Sequence, residues 1–140
     1  VDDGGGRRFR RPSSHNGTVT SETVLHTARA RILADLTARD VAGPEIVSLV
    51  EDALSRRRWW LEQWQEGAAF VPGLLAQDVQ DALMETYGRW PLCPLCEEPH
   101  ALAVEPELGE DPHWVCEARG VPVAAVGSLE GGPTQYGPAR

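Results

Sequence analysis

Apolar residues recur at helical spacing over the first two thirds of the chain, then give way to short alternating runs after Trp90. Between Ser21 and Arg39, Leu25, Ile32, Leu33 and Leu36 fall on one face with Ala28 beside them, which predicts an amphipathic helix. Asp40 and Gly43 open a turn. Pro44 then suits the first position of a second helix, where its missing N–H removes no bond. That helix is expected over Pro44–Gln65, with Ile46, Leu49, Val50, Ala53, Leu54, Trp60, Leu61 and Trp64 in its apolar stripe. At about 100° per residue, Arg57 lands inside the stripe and Trp59 on the polar side. Gly67 ends the run, and a third helix is expected from near Pro72 to Tyr87. Leu75, Val79, Ala82 and Leu83 form its apolar face, and Gly88 stands just past its end. Three such helices with short connections predict a bundle over residues 20–90.

After Trp90 the period shortens. Ala101–Val104 reads as a strand, Pro106, Gly109, Asp111 and Pro112 as a turn, and His113–Cys116 as a returning strand. Gly120 begins a second turn before a third strand near Val123–Val126, and Pro122 suits an edge position because it cannot donate to a ladder. The expected fold class is therefore α+β: a three-helix N-terminal bundle followed by a small zinc-stabilised β-ribbon module over residues 91–129. Residues 1–19 read as a disordered basic arm and residues 130–140 as a disordered tail, since both are rich in small and polar residues.

Charge and cysteine usage narrow the chemistry. The 140 residues carry a formal net charge of −8 and no lysine. Arg7, Arg8, Arg10 and Arg11 make the arm basic, whereas residues 93–140 hold eight acidic groups against two arginines. An acidic field of that kind repels a phosphate backbone, so nucleic-acid contact is disfavoured through the cysteine-bearing module and left open only through the arm. No apolar run approaches the length of a membrane span. The N-terminal arginines have no apolar segment behind them, so no secretory signal is expected and the cytoplasm is the expected location.

Cys93, Cys96 and Cys116 are an odd number for a disulfide framework. A lone C-x-x-C pair could also be two core thiols or a redox couple. The third cysteine, placed after a strand–turn–strand spacer, favours a metal site in a reducing compartment. A module of some 35 residues also buries too little apolar surface to stand alone, whereas structural zinc contributes on the order of 10–16 kcal/mol to small fingers. Structural zinc is almost always tetrahedral, and Cys₃His is an ordinary set. His100, four residues past Cys96, is the favoured fourth ligand; His113 is the alternative, disfavoured because residues 113 and 116 of one strand face opposite ways.

The order C-P-x-C, strand, loop, a strand ending in Trp114-Val115-Cys116 and a glycine-marked turn resembles a zinc ribbon. The resemblance covers about 30 of the 140 residues and implies that Cys93 and Cys96 form the first knuckle and Cys116 opens the second. A ribbon's usual fourth cysteine would fall at position 119, where this chain has Arg119.

Catalytic patterns are not evident in the sequence. Neither His-Glu-x-x-His nor the His-x-Glu signature of zinc deaminases occurs, although Glu97, Glu98 and Glu117 lie near the ligands in sequence. Arg56-Arg57-Arg58-Trp59-Trp60 is the main interaction signal: Arg57 is expected to lie along the apolar face with its head in a salt bridge, and Trp59 to cover the zinc module or mark a contact site. Trp90 and Trp114 are expected to pack the module against the helices. The function these features suggest is a non-enzymatic structural-zinc protein that works through another protein, with no small-molecule substrate evident. The alternative is a zinc-ribbon adaptor or regulator associated with nucleic acid.

Overall fold

A computed structural model describes residues 16–131, with side chains from residue 21 onward. The expected arm up to residue 15 and the tail from residue 132 lie outside the described residues. Helix α1 spans Asn16–Ala38, α2 Pro44–Gln63 and α3 Val71–Thr86, with a 3-10 segment at Gln65–Phe70 between the last two. Strands β1 (Ala103–Glu105), β2 (His113–Cys116) and β3 (Val121–Ala125) follow. The architecture is α+β, a helical bundle followed by a small ribbon.

The periodic stripes become the core. Leu25, Ala28, Ile32 and Leu36 of α1 are buried against Val50, Ala53, Leu54 and Leu61 of α2 and Leu75, Val79 and Leu83 of α3. α1 starts before the expected Ser21, at Asn16. Pro44 opens α2 behind Gly43, whose carbonyl accepts from the Val47 N–H at 2.9 Å. The helix stops at Gln63 because Trp64 leaves helical dihedrals (φ −149°, ψ 88°). That turn swings Trp64 off the stripe, so it is 44 % exposed and stacks edge-on against Trp60, with ring centroids 5.4 Å apart. Gly88 ends α3 at φ 152°, a backbone that side-chain-bearing residues rarely adopt.

The sheet order is β1-β2-β3, antiparallel throughout. β3 is an edge strand, as Pro122 requires, and an irregularity between Trp114 and Val115 accommodates it. The ribbon lies on the bundle rather than beside it. Trp90 and Trp114 are fully buried with ring centroids 5.3 Å apart, and both belong to the same core as the helix stripes. At Gly73 of α3, an added Cβ would come within 2.6 Å of the Glu107 carbonyl oxygen, so only glycine lets the β1–β2 turn rest on the helix.

Two charged residues share that core. Asp35 and Arg39, one turn apart on the buried face of α1, are 0 % and 2 % exposed. Trp114 Nε1 donates to Asp35 Oδ2 at 2.8 Å, and the backbone N–H groups of Gly127 and Leu129 donate to the carboxylate at 2.7 and 2.9 Å. Arg39 donates to the carbonyl oxygens of Leu92 (2.8 Å) and Glu130 (2.9 Å). α1 thus holds both ends of the ribbon by polar contacts.

Candidate metal centre

Pro91, Leu92 and Cys93 run beside His100, Ala101 and Leu102 in a short antiparallel turnback. Leu92 pairs with Ala101, the Cys93 N–H donates to the His100 carbonyl at 2.8 Å, and the Leu102 N–H donates to Pro91 at 2.8 Å. This pairing is what brings His100 back over the knuckle it follows in sequence. Cys96 closes the tight turn, inside which the Leu95 N–H points at Cys93 Sγ, 3.3 Å away. Cys116 arrives from the end of β2, on the strand face that also buries Trp114.

The ligand atoms of Cys93, Cys96, His100 and Cys116 all lie within 4.8 Å of one another. Tetrahedral zinc, with bonds of about 2.0–2.3 Å, places its donors about 3.5–3.8 Å apart. The Cys96–Cys116 sulfur separation of 3.7 Å matches that edge, and the Cys116 Sγ–His100 Nε2 separation of 3.9 Å is slightly longer than it. His100 Nδ1 faces the Ala101 carbonyl oxygen at 3.1 Å. A proton held there leaves Nε2 with a free lone pair directed at the sulfurs, the tautomer that a metal ligand needs. The donor set therefore fits zinc in chemistry and in spacing.

His113, the alternative ligand, is not part of the cluster. β2 buries Trp114 and Cys116, which turns His113 to the other face, where its Nδ1 lies 3.0 Å from the Asp111 carbonyl oxygen. The irregularity in the ladder falls after Trp114 and does not bring His113 round.

The loop that carries the ligands is clamped from outside. Arg39 holds Leu92, next to Cys93. Gln80 of α3 donates to the Trp90 and Leu102 carbonyl oxygens at 3.0 and 2.5 Å, and Arg89 donates to Pro99 at 3.1 Å. Arg119, at the position of the missing ribbon cysteine, donates to the Leu95 carbonyl at 3.2 Å and hydrogen-bonds Cys96. That bond to Arg119 pulls the Cys96 thiol below its ordinary range, while burial pushes the Cys93 thiol up. Three thiolates, one neutral imidazole and a zinc dication would sum to a single negative charge, which Arg119 offsets.

Sequence reasoning missed Asp35 and Arg39. The only available signal was that both positions continue the spacing of Ala28, Ile32 and Leu36 and so fall on the buried face. Burial pushes the Asp35 carboxyl up, against the hydrogen bonds from Trp114, Leu129 and Gly127 and the Arg39 charge, which pull it down. Arg57 meets its expectation: it grips Asp78 with two bonds of 2.6 and 3.0 Å and lies 5.1 Å from the Trp60 ring centroid. Trp59 does not cover the zinc module. It is 64 % exposed beside Arg56, Arg57, Trp60 and Asp78, on the α2–α3 side of the bundle.

No helix is long and apolar enough to cross a membrane among the described residues. No curated protein and no solved structure matches the chain. A family model does match, over residues 21–126, a span that takes in most of α1, all of α2 and α3, and the three strands. With more than half of its length matched, the chain belongs to the family described as Domain of unknown function (DUF8819).

Proposed function

We propose that the chain is a structural-zinc protein that acts through contacts with another protein and not by catalysis, in a reducing compartment such as the cytoplasm. The observation that carries the zinc assignment is the fourth donor. His100 Nε2 completes a Cys₃His set in which Cys93 and Cys116 are buried. A four-donor protein shell is the hallmark of structural zinc, whereas catalytic zinc keeps a position for water or substrate. The carboxylates that could serve a metal-bound water, Glu97, Glu98 and Glu117, are all exposed to solvent, which also favours a structural role. Three thiols gathered at one point persist as ligands only where disulfides do not form.

A role on nucleic acid is the second reading, favoured by Arg7, Arg8, Arg10 and Arg11 together with the ribbon-like knuckle. Against it, the arginines of the bundle are largely neutralised: Arg29 pairs with Glu51, Arg57 with Asp78 and Arg58 with Glu22. Native mass spectrometry of the full chain, purified without added metal, tests the zinc assignment. One zinc per chain is expected, lost in His100→Ala; a metal-free wild-type chain overturns it.

A further inference from the structure

The sequence run from Arg56 to Trp60 resolves into two unlike halves. Arg57 and Arg58 are engaged, the first by Asp78 and the second by Glu22, whose carboxylate accepts bonds of 3.0 and 3.3 Å. Arg56 has no hydrogen-bond or ion-pair partner among the described residues. It lines a shallow depression of about 410 Å³ with Arg57, Trp59, Trp60 and Asp78. Trp59 is the most exposed of the chain's large apolar side chains among the described residues, at 64 %. Its neighbour Trp60 is held in place, stacked against Trp64 at 5.4 Å with the Arg57 guanidinium 5.1 Å from its ring centroid. One wall is therefore fixed, and the other stands in water.

We propose that this face of α2 is a docking surface for a short helical segment of a partner protein, one that presents an apolar side chain and a carboxylate one turn apart. The proposal rests on the protein-contact reading above and names where that contact is made. Arg56 and Trp59 stand three residues apart on one helix, so a helix laid along α2 meets them with residues separated by the same turn. The apolar side chain enters between the indoles, and the carboxylate meets Arg56, the one arginine of the run with no acidic neighbour bound. Tryptophan and arginine are among the residue types enriched at the energetic centres of protein interfaces.

Charge decides against a polyanion. Nucleic-acid binding draws its affinity from several phosphate contacts at once. On this face one arginine, Arg56, has no carboxylate partner among the described residues, and Asp78 lines the same depression as a carboxylate that repels a phosphate chain. One free cation and one exposed indole suit one carboxylate and one apolar group.

The test selects peptides from a random 16-residue display library on the zinc-loaded full chain and then compares their binding to Trp59→Ala. Trp59 is exposed, so that variant should keep its zinc and its melting temperature, which are measured first. The expected peptides pair Asp or Glu with a large apolar residue three or four positions away. Fluorescence anisotropy should show their affinity falling at least tenfold for Trp59→Ala and for Arg56→Glu. Changing the peptide's acidic residue to Lys should restore binding to Arg56→Glu. Peptides that bind all three chains equally overturn this surface while leaving a protein-contact role elsewhere intact. If no peptide binds any of the chains, both fail. Single-stranded DNA that binds the wild type and is lost in Arg56→Glu replaces the proposal with a nucleic-acid surface.

Discussion

One set of polar side chains lies inside the apolar core and another at its edge, and they are closed in opposite ways. The Cys₃His cluster gathers donors that a metal would satisfy, three of them from a stretch of eight residues. The Asp35–Arg39 pair is satisfied by the protein itself, through four main-chain groups and one indole. Both hold the ribbon: the cluster ties the first knuckle to β2 from within, and the pair ties both flanks of the ribbon to α1. A metal site recruits its ligands through local spacing, whereas a buried charge pair recruits atoms from anywhere that the fold brings near.

Chelation should separate the two most strongly. Structural zinc contributes on the order of 10 kcal/mol in small modules. Stripping it is expected to release the three strands and expose Trp114, while α1–α3 retain most of their helical circular dichroism. An unchanged tryptophan emission spectrum after chelation would mean that packing alone holds the cluster, and the contrast would vanish.

Next in size is Asp35→Ala in the zinc-saturated chain. It strands Trp114 Nε1 and two backbone N–H groups and removes the carboxylate near the buried Arg39 guanidinium, at a cost of about 3–5 kcal/mol by urea unfolding. Asp35→Asn is the milder companion. Its amide oxygen can keep the bonds from Trp114 and Gly127, and its NH₂ then faces the Leu129 N–H, costing about 1–3 kcal/mol. Burial raises the Asp35 carboxyl. The folded chain thus holds that proton more tightly than the unfolded chain, and the group's contribution is fullest below the ordinary aspartate range. It falls as pH rises through the raised folded value. The stability difference between wild type and Asp35→Asn should change slope in that window. A difference constant with pH would show that the hydrogen bonds and the Arg39 charge fully offset desolvation, and wild-type stability that rises with pH there would show that they outweigh it.

Competition with a chromophoric chelator sharpens the metal side. Losing an outer partner of a metal site costs about 10–100-fold in affinity. His100→Ala, which removes a ligand, should exceed that range, and His113→Ala should leave zinc affinity unchanged. Arg119→Ala should fall within it, by about tenfold, because the guanidinium supports Cys96 and the Leu95 carbonyl only from outside the donor set. Equal losses in His100→Ala and His113→Ala would mean that the turnback around Ala101 does not hold the fourth ligand.

The same contrast explains what could be read from the chain alone. The helix stripes, the strand at His113–Cys116, the edge position of Pro122 and the choice of His100 all follow from relations within about twenty residues. Asp35 and Arg39 depend on partners 53 to 94 positions away, and no local pattern announces them. Trp64 was misplaced for a related reason: helical periodicity assigns it to the stripe, but α2 ends one residue before it. Trp59, polar-sided by periodicity, is exposed as that geometry dictates, and its supposed cover by the ribbon was a tertiary guess.

Arg39 also fixes an order of events during synthesis. Its guanidinium bonds to Glu130, 91 residues later in the chain. At about 5–20 residues per second, a ribosome needs roughly 5–18 s to translate that interval. Until it ends, α1 carries a carboxylate and a guanidinium on the face that must pack, with their set of partners incomplete. The helices can therefore form before the ribbon exists, but α1 completes its packing only once the ribbon supplies those partners. Nascent chains arrested so that only residues up to Arg89 have left the ribosome should be cut readily by protease within α1, and chains with Gly131 exposed and zinc supplied should resist.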